Sequence, residues 1–195
     1  WVVESYALFL AALLLVGGSM GDRFGRRKVF AWGVALFAGA SVGCALAATV
    51  QQLIAARAVQ GIGGALLVPG SLALISANFS EKERGKAIGT WSGFSGITAA
   101  IGPVLGGFLV DHYSWIWAFL VNVPLALVVL AITAWQVPES RGSEASAPLD
   151  WLGAVLATLA LGGVVFAFIE APSQGWGAQA VLAALAIGVL AGIGF

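Results

Sequence analysis

Charge is scarce in this sequence. Only 9% of the 195 residues are charged, whereas 60% are hydrophobic and the mean hydropathy is +0.98. Soluble domains carry about 25% charged and about 45–50% apolar residues, so this composition excludes an ordinary soluble protein and indicates one embedded in a bilayer. The formal net charge is zero, which gives no indication of a nucleic-acid partner.

Cysteine, histidine and methionine occur once each. Cys44 has no second cysteine with which to form an internal disulfide, so the redox compartment is not indicated. One histidine and one cysteine, without an HExxH-like pair, offer neither a metal site nor a nucleophile with its base, and the sequence predicts no enzyme and no cofactor. Because Met20 is the only methionine and apolar runs reach both ends, we expect a fragment of a longer protein.

Long apolar runs, by contrast, are abundant. A spanning helix needs about 20 mostly apolar residues, and backbone groups in lipid must be hydrogen-bonded within their own segment. The sequence therefore predicts an all-α membrane protein with about seven transmembrane helices. The predicted spans are 1–20, 29–48, 53–77, 86–110, 115–135, 151–170 and 178–195.

Lys and Arg residues indicate the orientation of these spans. If the turn at 21–28 is cytoplasmic, alternation places 78–86 and 136–150 on the same side, and all Lys and Arg outside the helices fall in these three segments. This is a strong positive-inside pattern, and the eight tryptophans lie near predicted helix ends, where amphipathic rings prefer the headgroup level. Both signals predict a multi-pass protein of the cell membrane.

Residues 17–28, GGSMGDRFGRRK, form a short charged turn between two apolar runs. Its cations anchor helix ends in most membrane proteins, but the glycines and the carboxylate of Asp22 indicate something more specific. The pattern resembles the signature loop between helices 2 and 3 of the major facilitator superfamily, whose charge contacts hold the cytoplasmic side shut in one conformation. The resemblance implies a cytoplasmic gate that contains Gly18, Asp22, Arg23, Gly25, Arg26 and Arg27.

The third predicted span contains Arg57, the only cation inside an apolar run. An arginine at a helix centre costs about 2.5–3.5 kcal/mol on insertion scales, although Arg57 is close enough to the outer end for its guanidinium to reach the interface. With Gln60 and Gly61 one turn on, the pattern resembles the helix 4 motif of proton-driven antiporters. The resemblance implies that Arg57 takes part in proton coupling.

The fourth predicted span contains a Gly-Pro-x-x-Gly-Gly run. Its glycines form a small-residue face suited to close helix packing. The run also resembles the helix 5 motif that separates antiporters from symporters and uniporters of the superfamily, although Thr98 stands where a fuller form has glycine. The members of this antiporter motif are Gly102, Pro103, Gly106 and Gly107.

Three further observations leave alternatives open. Glu4, about one turn inside the first span, is either a proton site or a hydrated interfacial residue. Asn122 either bonds a neighbouring helix or, with Gln60, faces a substrate cavity. Asp22 and Asp111 each follow a Gly-Gly pair at identical spacing, on opposite sides of the membrane, which is expected of an inverted repeat but also arises by chance in a glycine-rich sequence.

The resemblance covers essentially the whole chain and is closest to 14-span drug:proton antiporters of the multidrug-efflux, antibiotic-resistance type. It implies helices 2–6 of the N-terminal bundle at 1–135, a cytoplasmic linker at 136–150 and a truncated central helix pair at 151–195. The implied function is proton-coupled efflux of small amphipathic molecules by alternating access, driven by the proton gradient. A symporter or uniporter of a small metabolite and a non-transport structural membrane protein remain as alternatives.

Overall fold

The computed structural model describes residues 1–142 and 150–195, so the central part of the linker predicted at 136–150 lies outside the described residues. Within the described residues the chain forms eight α-helices. They are α1 (Val2–Phe24), α2 (Arg26–Ala45), α3 (Val50–Asn78), α4 (Glu81–His112), α5 (Trp115–Leu120), α6 (Asn122–Gln136), α7 (Trp151–Gln174) and α8 (Gln179–Gly194).

The predicted all-α membrane fold is confirmed. Six helical segments of the described chain are long and apolar enough to cross a membrane, with α5 and α6 counting together as one segment, Trp115–Gln136. The seventh predicted span appears as α8, which has 16 residues. At about 1.5 Å per residue, this described length is shorter than about 30 Å of hydrocarbon.

The fifth predicted span is interrupted at Val121, between α5 and α6. Pro124 explains the position of the break, because proline has no N–H with which to bond the carbonyl of Leu120 four residues earlier. Val121 keeps right-handed helical angles, with φ −57° and ψ −26°. The apolar segment therefore continues across the membrane with one local defect.

Helix α3 packs between α1 and α2, and glycines on α3 bring the backbones together. A Cβ at Gly61 would collide with the carbonyl oxygen of Tyr6 on α1, and a Cβ at Gly63 would lie 2.8 Å from the backbone nitrogen of Phe37 on α2. Without an aqueous driving force between helices in lipid, such close contact supplies much of the association energy. These three helices form the tightest part of the structure.

We expect Gly61→Val to destabilise the protein by about 1–3 kcal/mol, because the new side chain overpacks the contact with Tyr6. Gly39→Val is the matched control, since nothing lies within 4 Å of a Cβ at Gly39. The measurement is the thermal midpoint of the whole gene product in detergent. Equal midpoints for the two variants would contradict the packing assigned to α3.

Helices α7 and α8 form a hairpin, and α7 packs against α1. The indole Nε1 of Trp1 donates to Glu170 Oε1 at 3.1 Å, and the rings of Trp1 and Phe166 lie 5.6 Å apart. At the opposite end of α1, Ser19 and Asp150 line one small cleft. Residues predicted to be outside therefore meet at one end of the bundle, and residues predicted to be cytoplasmic meet at the other.

Candidate functional site

Arg57 is held by three groups near the outer end of the bundle. Its Nε donates to the carbonyl oxygen of Val2 at 2.9 Å, and its Nη1 donates to Gln60 Oε1 at 2.7 Å. Its guanidinium carbon lies 4.4 Å from the ring centre of Tyr6, a distance at which the ring attracts a cation. The side chain is turned toward the first two turns of α1.

The hydrogen bonds continue from α3 into α2 and α6. Gln60, which is 1% exposed, donates through Nε2 to Ser41 Oγ at 2.7 Å. Asn122 Nδ2 donates to the same oxygen at 3.4 Å, and Ser41 in turn donates to the carbonyl of Phe37 at 2.8 Å. We call Tyr6, Ser41, Arg57, Gln60 and Asn122 the Arg57 network. It joins all three helices of the tight core to the start of α6.

The structure thus brings together three residues that the sequence singled out separately. Gln60 is buried beside Arg57, and Asn122 is directed toward α2, so both make interhelical hydrogen bonds; their role in a substrate cavity remains a prediction. Buried polar groups cost free energy unless they are paired. Because each member here has a partner, the network favours one particular arrangement of these helices.

Glu4 lies on α1 close to Val2 and Tyr6 in sequence. Its carboxylate is 41% exposed. Among residues 1–142 and 150–195, no ion pair joins Glu4 to Arg57. The structure therefore places Glu4 at the same end of the bundle as the Arg57 network but outside it.

At the end of the bundle that the sequence predicts to be cytoplasmic, Asp22 pairs with Arg26. The Nε and Nη2 atoms of Arg26 both lie 2.8 Å from Asp22 Oδ1. Gly25 separates α1 from α2 with φ +112°, a backbone conformation that suits glycine. A Cβ at Gly25 would also lie 2.7 Å from Glu139 Oε1, so glycine both forms the turn and makes room for a carboxylate.

That carboxylate belongs to the non-helical segment after α6, residues 137–142, which we call the strap. Arg27 donates its backbone N–H to Glu139 Oε1 at 3.0 Å and its Nη1 to the carbonyl of Val137 at 3.2 Å. The backbone of Arg26 bonds Ser140 at 2.9 Å, and that of Gly142 bonds Asp22 at 3.1 Å. The strap therefore joins the end of α6 to the turn between α1 and α2.

The remaining residues of the predicted gate occupy different surroundings. Arg23 is exposed and lies over the ring of Phe24 at 5.7 Å. Gly18 faces Pro69 of α3, and a Cβ at Gly18 would lie 3.6 Å from the Cβ of Pro69. Asp22, Gly25, Arg26 and Arg27 thus form one contact cluster, whereas Arg23 is at its margin.

The glycine run of α4 has no neighbour in the described part of the chain. Nothing there lies within 4 Å of a Cβ at Gly102, Gly106 or Gly107, and no residue of α4 is buried. Pro103 lies inside the helix, which continues through it. The close packing that the sequence predicts at this face is therefore not made by residues 1–142 or 150–195.

Sequence reasoning missed Glu139, Ser41 and Tyr6. The sequence assigns Glu139 to the linker at 136–150, although an acidic residue just after a helix and on the same predicted side as four cations is a usable signal for a contact. Ser41 carried no such signal, because a single serine within an apolar run is ordinary. Tyr6 was also undetectable, since its role depends on how α1 and α3 meet.

We expect Glu139→Ala to loosen the turn between α1 and α2, because Glu139 caps the first turn of α2 from across the structure. Loss of a helix cap costs about 0.5–2 kcal/mol, so trypsin cleavage at Arg26–Lys28 from the cytoplasmic side should become roughly 2- to 30-fold faster. Glu81→Ala, an exposed acidic residue on the same side, should leave cleavage unchanged. Equal cleavage rates for the two variants would show that Glu139 does not stabilise the turn.

The sequence of the chain is similar to those of characterised proteins over nearly its whole length. The sequence profile of the Major Facilitator Superfamily matches residues 1–195. A methylenomycin A resistance protein of Streptomyces coelicolor is 40% identical over 194 residues, which are 98% of this chain and 40% of that protein. A tetracenomycin C resistance and export protein of Streptomyces glaucescens is 39% identical, over 100% of this chain and 36% of that protein.

A third relative is the multidrug resistance protein Stp of Mycobacterium tuberculosis, which is 41% identical over 177 residues, 90% of this chain and 33% of that protein. The chain spans about two fifths or less of the length of these relatives.

Proposed function

Because the chain belongs to the Major Facilitator Superfamily, a family of multi-pass membrane transporters, we propose that it takes part in proton-coupled export of small amphipathic molecules by alternating access. The substrate class follows from relatives named for resistance to methylenomycin A, for export of tetracenomycin C and for multidrug resistance. An antibiotic or another drug-like molecule is therefore the proposed cargo.

The observation that carries the proposal is the Arg57 network. A charge inside a membrane span is costly and is typical of ion and proton pathways. Here the described partners of the guanidinium are neutral: a carbonyl oxygen, an amide oxygen and an aromatic ring. Arg57 therefore attracts any carboxylate that approaches it, and protonation of that carboxylate removes the attraction. We propose Glu4, at the same end of the bundle, as one such proton-carrying group.

The network also provides a way to convert protonation into movement. Gln60 and Ser41 connect Arg57 to α2 and, through Asn122, to α6. When Arg57 changes its hydrogen-bond partners, a different arrangement of these helices satisfies the polar groups of the network best. Because α6 continues into the strap, the same rearrangement reaches the cytoplasmic turn at Asp22. A ligand or proton shifts such an equilibrium only by its differential affinity for the two states.

At the cytoplasmic side, we propose that Asp22, Arg26, Arg27 and Glu139 form contacts that exist in one state of the cycle and break in the other. These ion pairs are partly exposed, and partly exposed pairs contribute little to stability. Weak contacts suit a gate, since neither state is then strongly favoured. Antiport is proposed over symport because of the glycine run of α4, through its resemblance to the antiporter motif.

The test uses the whole gene product in everted membrane vesicles, whose interior corresponds to the cell exterior. With the interior acidified, we expect a fluorescent cationic dye to accumulate inside, and a protonophore to release it. Vesicles without the protein are the control. Dye accumulation that does not depend on the pH gradient would contradict proton coupling. If none of a panel of cationic and neutral antibiotics is transported, drug export is contradicted.

A further inference from the structure

A cleft lies between α2 and α6 at the end of the bundle that carries Arg27 and Lys28. Its volume is about 350 Å³, and its lining combines the first two turns of α2 with the last two turns of α6. The lining residues are Arg27, Lys28, Ala31, Trp32, Leu130, Thr133 and Ala134. We infer that this cleft binds an anionic phospholipid of the inner leaflet, with its phosphate at Lys28 and Arg27.

The charge at the cytoplasmic end of the cleft suits a phosphate. Lys28 is exposed, and no acidic residue of 1–142 or 150–195 forms an ion pair with it. Arg27 shares its charge with Glu139 at 4.0 Å. The three groups together carry one net positive charge, and the neighbouring Asp22 and Arg26 cancel each other. Basic clefts between membrane helices on the cytoplasmic side attract anionic headgroups.

A polar group on the facing helix completes the donor set. Thr133 is only 5% exposed yet lines the cleft, and its hydroxyl has no side-chain hydrogen bond to the described residues. Since α6 ends three residues later, at Gln136, Thr133 lies at the depth of the first turns of α2. The hydroxyl is therefore placed to donate to a phosphate oxygen bound by Lys28.

The rest of the cleft suits acyl chains. Ala31 and Ala134 leave a shallow apolar channel, and Leu130 continues it toward the bilayer centre. Trp32 is 54% exposed, one turn deeper than Lys28, at the level where indole rings prefer the membrane interface. Headgroup donors above an apolar channel distinguish this cleft from a site for a free phosphate ion, which gains nothing from the channel.

The lipid also touches the machinery proposed for gating, although its binding does not depend on transport. Arg27 belongs both to this cleft and to the strap contacts with Glu139 and Val137. A phosphate that engages Arg27 competes with Glu139 for its charge. The inner-leaflet composition is thereby connected to the stability of the turn between α1 and α2.

The test is native mass spectrometry of the whole gene product, purified in detergent and titrated separately with phosphatidylglycerol and phosphatidylcholine. We expect selective retention of phosphatidylglycerol. Lys28→Ala should weaken its binding about fivefold, the effect of one cation near an anionic lipid, whereas Lys28→Arg should preserve it. Thr133→Val should weaken binding further when combined with Lys28→Ala.

Lys82→Ala is the matched control, because Lys82 is an exposed cytoplasmic cation outside the cleft. It should retain the lipid as the wild type does. Equal binding of the two lipids, equal losses in Lys28→Ala and Lys82→Ala, or full competition by free glycerol phosphate would each overturn the assignment. Thermal midpoints of all variants show whether a loss of binding reflects a loss of folding. If Lys28→Ala does not fold, Lys28→Arg, which keeps the positive charge, still tests the assignment, and a loss of lipid binding in this variant would contradict it.

Discussion

Replacing Arg57 by alanine is expected to reduce proton-driven efflux by roughly ten- to hundredfold. The change removes the hydrogen bonds to Val2 and Gln60 and the contact with Tyr6. A hydrogen bond from a charged donor is worth about 1.5–3 kcal/mol, so the loss of one alone accounts for an effect of this size. Proton-gradient-driven accumulation of a cationic dye in everted vesicles, normalised to the amount of protein, measures it.

Arg57→Lys separates charge from geometry. Lysine keeps the positive charge but has one nitrogen on a flexible stem, and it does not reproduce the fork that reaches Val2 and Gln60 together. We expect intermediate efflux. Gln51→Ala is the control on the same helix, since Gln51 is exposed and fewer than two turns away. Wild-type efflux in Arg57→Ala, with the protein folded and present, would remove Arg57 from the mechanism.

Asp22→Asn is expected to reduce efflux by roughly tenfold. The substitution removes the charge that two nitrogens of Arg26 share at 2.8 Å, and an asparagine amide does not replace it. If the pair is what matters, Arg26→Ala should give a similar loss, and the double variant should lose no more than the worse single one. Dye accumulation in the same everted vesicles is the measurement.

The control for Asp22→Asn is Glu81→Gln, which removes an exposed negative charge on the same side of the membrane. It should leave efflux unchanged. Additive losses of efflux in the double variant would show that Asp22 and Arg26 act separately. This result would contradict the proposal that their ion pair is part of the gate.

The helices were predictable because they depend on local properties. Length and hydropathy mark the spans, and the distribution of Lys and Arg predicts their orientation. Arg57 was also identifiable, because a cation within an apolar run is conspicuous in any arrangement of the helices.

Contacts between distant residues were not predictable. The bond from Arg27 to Glu139 joins positions 112 residues apart, and that from Asn122 to Ser41 joins positions 81 apart. Each depends on how helices are arranged in three dimensions, which hydropathy does not specify. The glycine run of α4 illustrates the converse limit: small residues indicate close packing, but the sequence does not say which helix supplies the contact.

The most direct measurement of the central claim is proton movement caused by substrate. Liposomes that contain the whole gene product and an internal pH-sensitive dye are supplied with a transported antibiotic in the absence of any pre-formed gradient. The account predicts that antibiotic entering the lumen drives protons out, so that the lumen becomes alkaline, and that Arg57→Ala abolishes the signal. Antibiotic transport without a change in luminal pH would contradict proton-coupled antiport.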